Sequence, residues 1–247
     1  MSWRGLVWLA ATAVFAGCGR PNVERVEWVV MDTVAAVQFR GGPEDRQTGY
    51  WIQDAFLKVS DEFNAFDQNS AINRLGGCSE FGKPCWDFAF RLRDQTGGVF
   101  DPRWRGKGTL DFGAVAKGFA VDAAAESLRT NSSPRQCDIL LDLGGNLKSV
   151  KGDWTVGIQG SSDTLVLSNG MACATSAEYF RGKHIFDART GNAVTNDLMS
   201  VTVVHPSSAM LADGLSTVCF ILGEEEGTAF LRKHYPEAQA IWIRKEQ

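Results

Sequence analysis

The chain has 247 residues, 44% of them hydrophobic and 22% charged, a balance that suits a globular protein with one large domain or two small ones. A formal net charge of −4 argues against a nucleic-acid surface. The three histidines, His184, His205 and His234, argue against a multi-histidine metal cage.

The chain opens with Arg4 and an apolar run over residues 5–16, too short for a permanent transmembrane helix. The run ends in F-A-G-C at Cys18, which resembles a bacterial lipobox. Residues 1–17 are therefore expected to be a lipoprotein signal peptide, with a lipid anchor at Cys18 on a periplasm-facing membrane surface, inner or outer. Cys78 and Cys85 bracket a short loop and could pair in such a compartment, whereas Cys137, Cys173 and Cys219 sit in apolar contexts as small core residues.

Residues 24–40 alternate as a half-buried strand, interrupted at Met31-Asp32-Thr33. Residues 45–64 predict an amphipathic helix with Ile52, Phe56, Val59 and Phe63 on one face. A loop carrying Phe66 follows, then a short helix over 86–95 stopped by Gly97-Gly98. In T-G-G-V-F-D-P, two glycines allow close approach to a ligand and deliver Val99, Phe100 and Asp101, although an aspartate there is most often a turn former.

L-D-F-G-A-V-A-K-G-F-A-V-D, residues 110–122, is the most informative stretch. Asp111 precedes a glycine turn, Ala114 opens a helix reaching to residue 129, and Lys117 lies one turn in. Free N–H groups beside a cation suit an anion, and the aspartate suits a metal or a ribose or base-edge hydrogen bond. A plain turn with Asp111 as cap explains the same residues equally well. Residues 138–146 read as a buried strand ending in Gly144-Gly145, and L-D-L-G there echoes L-D-F-G, suggesting two analogous strand ends.

Strands are predicted over 154–158, 164–168, 199–205 and 238–243. Within K-H-I-F-D-A-R-T-G, Thr190 and Gly191 build a turn, while His184 is either a proton acceptor or a structural histidine. In S-A-M-L-A-D-G-L-S-T-V-C-F-I-L, Asp213 and Thr217 are four apart on one helical face and offer the hard oxygens that Mg²⁺ takes. An N-terminal Asp with a back-bonding Thr is the alternative. Glu224–Glu226 open a last short helix.

Together these segments, with D-L-G-G-N and M-A-C-A-T-S-A-E-Y, resemble in order the signatures of the ApbE family of flavin transferases, from Met31 to about Gly223. The resemblance implies an α+β, T-fold-related single domain over 18–247 with two lobes, mixed or antiparallel sheets packed with helices, and the site between the lobes. It implies contacts to the flavin nucleotide from Met31, Phe66, Val99, Phe100, Asp101, Asp111, Lys117 and Phe186. Mg²⁺ would be held by Asp213, Thr217 and main-chain oxygens at Ser216 and Ala114, and His184 would act as base beside Asp213 and Thr217. The implied reaction moves FMN from FAD onto a threonine hydroxyl of an acceptor flavoprotein carrying a Ser/Thr-containing motif, and AMP leaves. An FAD pyrophosphatase and a non-catalytic FAD-binding lipoprotein are the alternatives. Asp32, Ala177 and Ala188 depart from the family pattern. So does the short run P-R-W-R-G-K-G-T, where relatives insert several dozen residues, making this a minimal member.

Overall fold

A computed structural model describes residues 23–42, 46–106, 108–131, 137–178 and 185–245. The expected signal segment with Cys18, and His184, lie outside them. The interrupted strand is a hairpin: β1 (Val23–Val30) pairs antiparallel with β2 (Thr33–Arg40). Met31 and Asp32 form its turn with φ of 52° and 55°. Two successive left-handed residues match the twist of a hairpin, and aspartate tolerates that conformation better than most side chains. Asp32 can therefore stand where glycine is expected.

Between β2 and β3 (Asp138–Leu143) lie α1 (Arg46–Phe63), α2 (Ala71–Leu75), α3 (Lys83–Gln95) and α4 (Ala116–Asn131). Ile52, Phe56, Val59 and Phe63 of α1 are all buried, as their spacing predicts. α3 ends where Gly97 and Gly98 take φ of 62° and 87°, a region closed to most side chains. Then follow β4 (Asn146–Lys151), β5 (Trp154–Gly157), β6 (Thr164–Leu167), β7 (Ala172–Ala177), β8 (Phe186–Asp187), β9 (Asn192–Ala193), β10 (Leu198–His205), α5 (Ala209–His234) and β11 (Gln239–Arg244).

Seven strands form one sheet in the order β1-β2-β3-β4-β7-β10-β11, and every pairing in it is antiparallel. Strand alternation separates two layers. Val37 and Phe39 of β2, Leu141 and Leu143 of β3, and Val201 and Val203 of β10 share the main core with α1, α3, α4 and α5. On the opposite face Leu140, Cys173 and Val204 pack with Trp154, Val156 and Leu167 of the β5–β6 hairpin. α5 is interrupted at Gly223 (φ 80°, ψ 177°), so Glu224–Glu226 do begin a second helical segment. No helix among the described residues is long and apolar enough to cross a membrane.

Cys78 and Cys85, whose pairing the sequence leaves open, stand as free thiols. Two expectations change. α4 is regular from Ala116 rather than Ala114, led in by a turn in which the Val115 and Ala116 N–H groups both return to the Phe112 carbonyl. Residues 110–112 form no strand, so only Asp142 of the two echoing segments stands on a sheet. The core thiols behave as read: burial pushes Cys173 and Cys219 up to about 12, leaving them inert at neutral pH.

Candidate active site

A cavity of about 410 Å³ lies where the first turn of α4 and the first half of α5 meet β4 and β7, closed on another side by the loops around Phe66, residues 100–105 and residues 185–188. At its base, Asp111 Oδ1 accepts the Gly113 N–H at 2.9 Å, which sets the turn that aims α4 at the cavity. Lys117 Nζ donates to the Gly113 carbonyl at 3.0 Å and stands 3.9 Å from Asp213 Oδ1. The Gly118 N–H, one of the first-turn donors left free by helix geometry, goes to Asp213 Oδ2 at 2.9 Å. Gly118 also lets the two helices touch: a Cβ there would lie 2.3 Å from the Ala209 carbonyl oxygen.

Asp213 is 5% exposed. Burial raises its carboxyl pKa, and Lys117 and the Gly118 N–H oppose the rise. A carboxylate in that state is short of positive charge. Around it are hydroxyls: Ser216 Oγ donates to the Asp213 carbonyl at 2.9 Å, and Ser176 Oγ of β7 lies 2.9 Å from Ser216 Oγ and 3.1 Å from Thr217 Oγ1. Among the described residues no three His, Cys, Asp or Glu side chains converge on a metal position. A cation here would take one carboxylate, the Thr217 hydroxyl and then carbonyls, waters or phosphate, a donor set that fits Mg²⁺.

The mouth is aromatic. The Arg105 guanidinium lies 5.0 Å from the ring centre of exposed Phe66 and 4.9 Å from that of Trp104, while its Nε donates to Asp111 Oδ2 at 2.7 Å. Trp104 stacks on Phe186 at 4.8 Å and 15°. Four planar groups thus stand in series across the opening, joined to the base through Asp111.

Of the residues expected from sequence, Phe66, Phe100, Asp101, Asp111, Ala114, Lys117, Phe186, Asp213 and Thr217 all line the cavity. Asp101 also forms a turn, its Oδ1 accepting the Arg103 N–H at 2.8 Å. Val99, Met31 and Ser216 are not among the lining residues. Val99 is buried, its carbonyl accepting the Ala188 N–H at 3.0 Å; Met31 packs on the main core; the Ser216 side chain is buried against Ser176. His184 lies outside the described residues, directly before Ile185 and Phe186 of the lining. Thr190 and Gly191 make the expected turn, both N–H groups returning to the Asp187 carbonyl. Sequence reasoning missed Trp104, Arg105, Ser176 and Asn146, all of which line the cavity. For the first two the signal was an aromatic–arginine pair in the shortened loop.

An antiparallel sheet covered by helices, with the cavity at two helix starts, is a fold shared with solved flavin transferases. The Vibrio cholerae flavin transferase ApbE superposes with a TM-score of 0.75 over 91% of this chain and 95% of that one, at 21% identity. The Pseudomonas stutzeri flavinyl transferase ApbE gives 0.76 over 94% of each, at 20% identity. The pattern of the ApbE family matches residues 103–242, and the chain belongs to that family. It is similar to the FAD:protein FMN transferases of Klebsiella pneumoniae, 36% identical over 152 residues, and Treponema pallidum, 33% identical over 161. These matches cover 56% and 54% of this chain, which spans less than half of those relatives, 46% and 43%.

Proposed function

We propose that the protein is a Mg²⁺-dependent transferase that moves FMN from FAD onto a threonine hydroxyl of an acceptor protein and releases AMP. The observation that carries this reading is the meeting, in one cavity, of the buried Asp213 carboxylate, the Thr217 hydroxyl and the first turn of α4 with Lys117. Mg²⁺, when bound, would neutralise charge on the pyrophosphate. The chain's own groups do the rest. Asp213 and Thr217 would hold the metal, with Ala114 and Ser216 contributing main-chain oxygens. Lys117 lies where it can balance phosphate charge. Phe66, Trp104 and Phe186 offer flat faces to a ring, and Asp111, fixed by Gly113 and Arg105, orients the nucleotide. His184 would take the proton of the attacking hydroxyl as the new phosphoester forms and the bond to AMP breaks.

The F-A-G-C segment supports attachment at Cys18 to a membrane facing the periplasm, where acceptor flavoproteins with exposed Ser/Thr-rich loops would be met. The deciding experiment incubates the protein with FAD, Mg²⁺ and such an acceptor fragment, then reads intact mass and AMP. A gain of one FMN, abolished by EDTA, is expected. AMP without a mass gain would make the protein a pyrophosphatase, and bound FAD with neither product would make it a binder.

A further inference from the structure

Asn146, the first residue of β4, is 3% exposed and lines the cavity. Its Nδ2 donates to the Leu143 carbonyl at 3.1 Å. That bond fixes the amide, because the flipped orientation would set two acceptor oxygens against each other. Oδ1 is then a buried acceptor with no partner in the protein. Buried acceptors are almost always paired, and one left open on a ligand cavity awaits a donor.

Register places this residue along the cavity. Leu147 packs on the outer face with Trp154 and Leu167, so Asn146 and Lys148 face the helices. Lys148 Nζ reaches Asp122 of α4 at 2.7 Å. Two residues of strand, and the five helical residues from Asp122 back to Lys117, each span about 7 Å. Since Asn146 and Lys117 both line the cavity, Asn146 lies towards the first turn of α4, the end that faces Asp213.

We propose that Asn146 is a specificity-determining residue whose Oδ1 accepts a hydrogen bond from a polyol hydroxyl next to the ligand's phosphates. The inference rests on the proposed FAD reading. In FAD such hydroxyls belong to the ribityl chain on one side of the pyrophosphate and to the ribose on the other. A ligand lacking the hydroxyl leaves the buried oxygen unpaired, and sites of this kind reject such analogues strongly.

The test is equilibrium titration of the full chain and of Asn146→Leu with FAD, FMN and ADP in Mg²⁺. FAD affinity is expected to fall roughly 10- to 100-fold in the variant, with the same loss confined to one fragment: FMN if the donor is ribityl, ADP if it is ribose. Equal loss for both fragments, or no loss, overturns the proposal. Should Asn146→Leu not fold, the unmodified protein is titrated with FAD analogues each missing one ribityl or ribose hydroxyl. One analogue is expected to lose a similar factor, and none doing so overturns the proposal. A wild-type protein that fails to bind FAD at all would overturn the transferase reading too, an outcome distinct from tight binding indifferent to Asn146.

Discussion

Asp122 of α4 accepts the N–H groups of Ala209 and Met210 at the start of α5, each at 3.0 Å, while Asp213 of α5 accepts the Gly118 N–H at the start of α4, at 2.9 Å. Each helix caps the other. The exchange sets their mutual height, and so fixes where Lys117 stands against Asp213. The two caps are not equivalent. Asp122 is saturated, taking Ser208 Oγ and Lys148 Nζ as well, each at 2.7 Å. Asp213 keeps Oδ1 turned to an ammonium 3.9 Å away.

Asp122→Ala removes the cap of α5 and leaves the half-buried Lys148 ammonium without its carboxylate. A loss of about 3 kcal/mol is expected, from the cap and the orphaned charge together. Urea denaturation measures it. Asp122→Ala/Lys148→Met should recover part of the loss, and a double variant no better than the single one would show that the ion pair is not the source.

For Asp213→Asn the expectation runs the other way. The amide oxygen can still accept from Gly118, and the burial penalty on a charge disappears. Without divalent cations the variant should melt no lower than the wild type, yet it should lack the rise in melting temperature that the proposed reading expects of the parent with Mg²⁺ and FAD. A variant that keeps this rise would remove Asp213 from the metal site.

Gly118→Ala places a methyl 2.3 Å from the Ala209 carbonyl oxygen and 2.7 Å from Asp213 Cβ. Neither neighbour is the free end of a flexible chain, so the helices must separate, at an expected cost of about 3 kcal/mol. FMN transfer should fall with it, since the Asp213–Gly118 bond lengthens. Thermal melting and transfer rate, compared with Gly214→Ala as a second packed helix glycine, would check this.

His205 gives the fold a pH dependence. Its Nδ1 accepts N–H groups of Ser207 and Ser208 at 3.2 and 3.0 Å, and Nε2 lies 3.4 Å from Glu237 Oε1. Burial holds its pKa below the ordinary 6.5; Glu237 and Asp122 pull it up and Lys148 pushes it further down. Protonation thus favours the unfolded chain. The stabilisation is complete above about pH 6.5 and is lost as pH falls through the lowered value. Stability from pH 7.5 to 5.5 should decline more steeply in the wild type than in His205→Gln; parallel curves would contradict this.

Much of the site was legible because its residues are local to motifs. Helical spacing puts Asp213 and Thr217 on one face, and a glycine turn puts Asp111 and Lys117 at a helix start. A plain cap or turn explains each pattern as well, and only the ordered resemblance to the ApbE family makes them a site. Trp104 and Arg105 were not legible, because their roles come from rings on distant segments, Phe66 and Phe186, that the loop happens to meet. Asp122 is illegible for the same reason: three of its four partners, at the start of α5, are 86 to 88 residues away. The strand alternation of β2 and β3 predicted burial but not order in the sheet. L-D-F-G shows the limit of local pattern, since it repeats L-D-L-G yet forms no strand, having no neighbour to pair with.

The pairing of β2 with β3 has a consequence for how the chain reaches its native state. Arg40 meets Asp138 across 98 residues, and α1 to α4 occupy the interval. The centre of the sheet cannot zip until these helices have been made and gathered. Ordering so long a loop before its contacts form is slow. Until then the β1–β2 hairpin carries an open edge through synthesis, and Val29 and Val34 near its tip remain solvent-exposed even in the finished protein. Refolding from denaturant should accordingly be limited by strand closure, with aggregation as its competitor at high protein concentration.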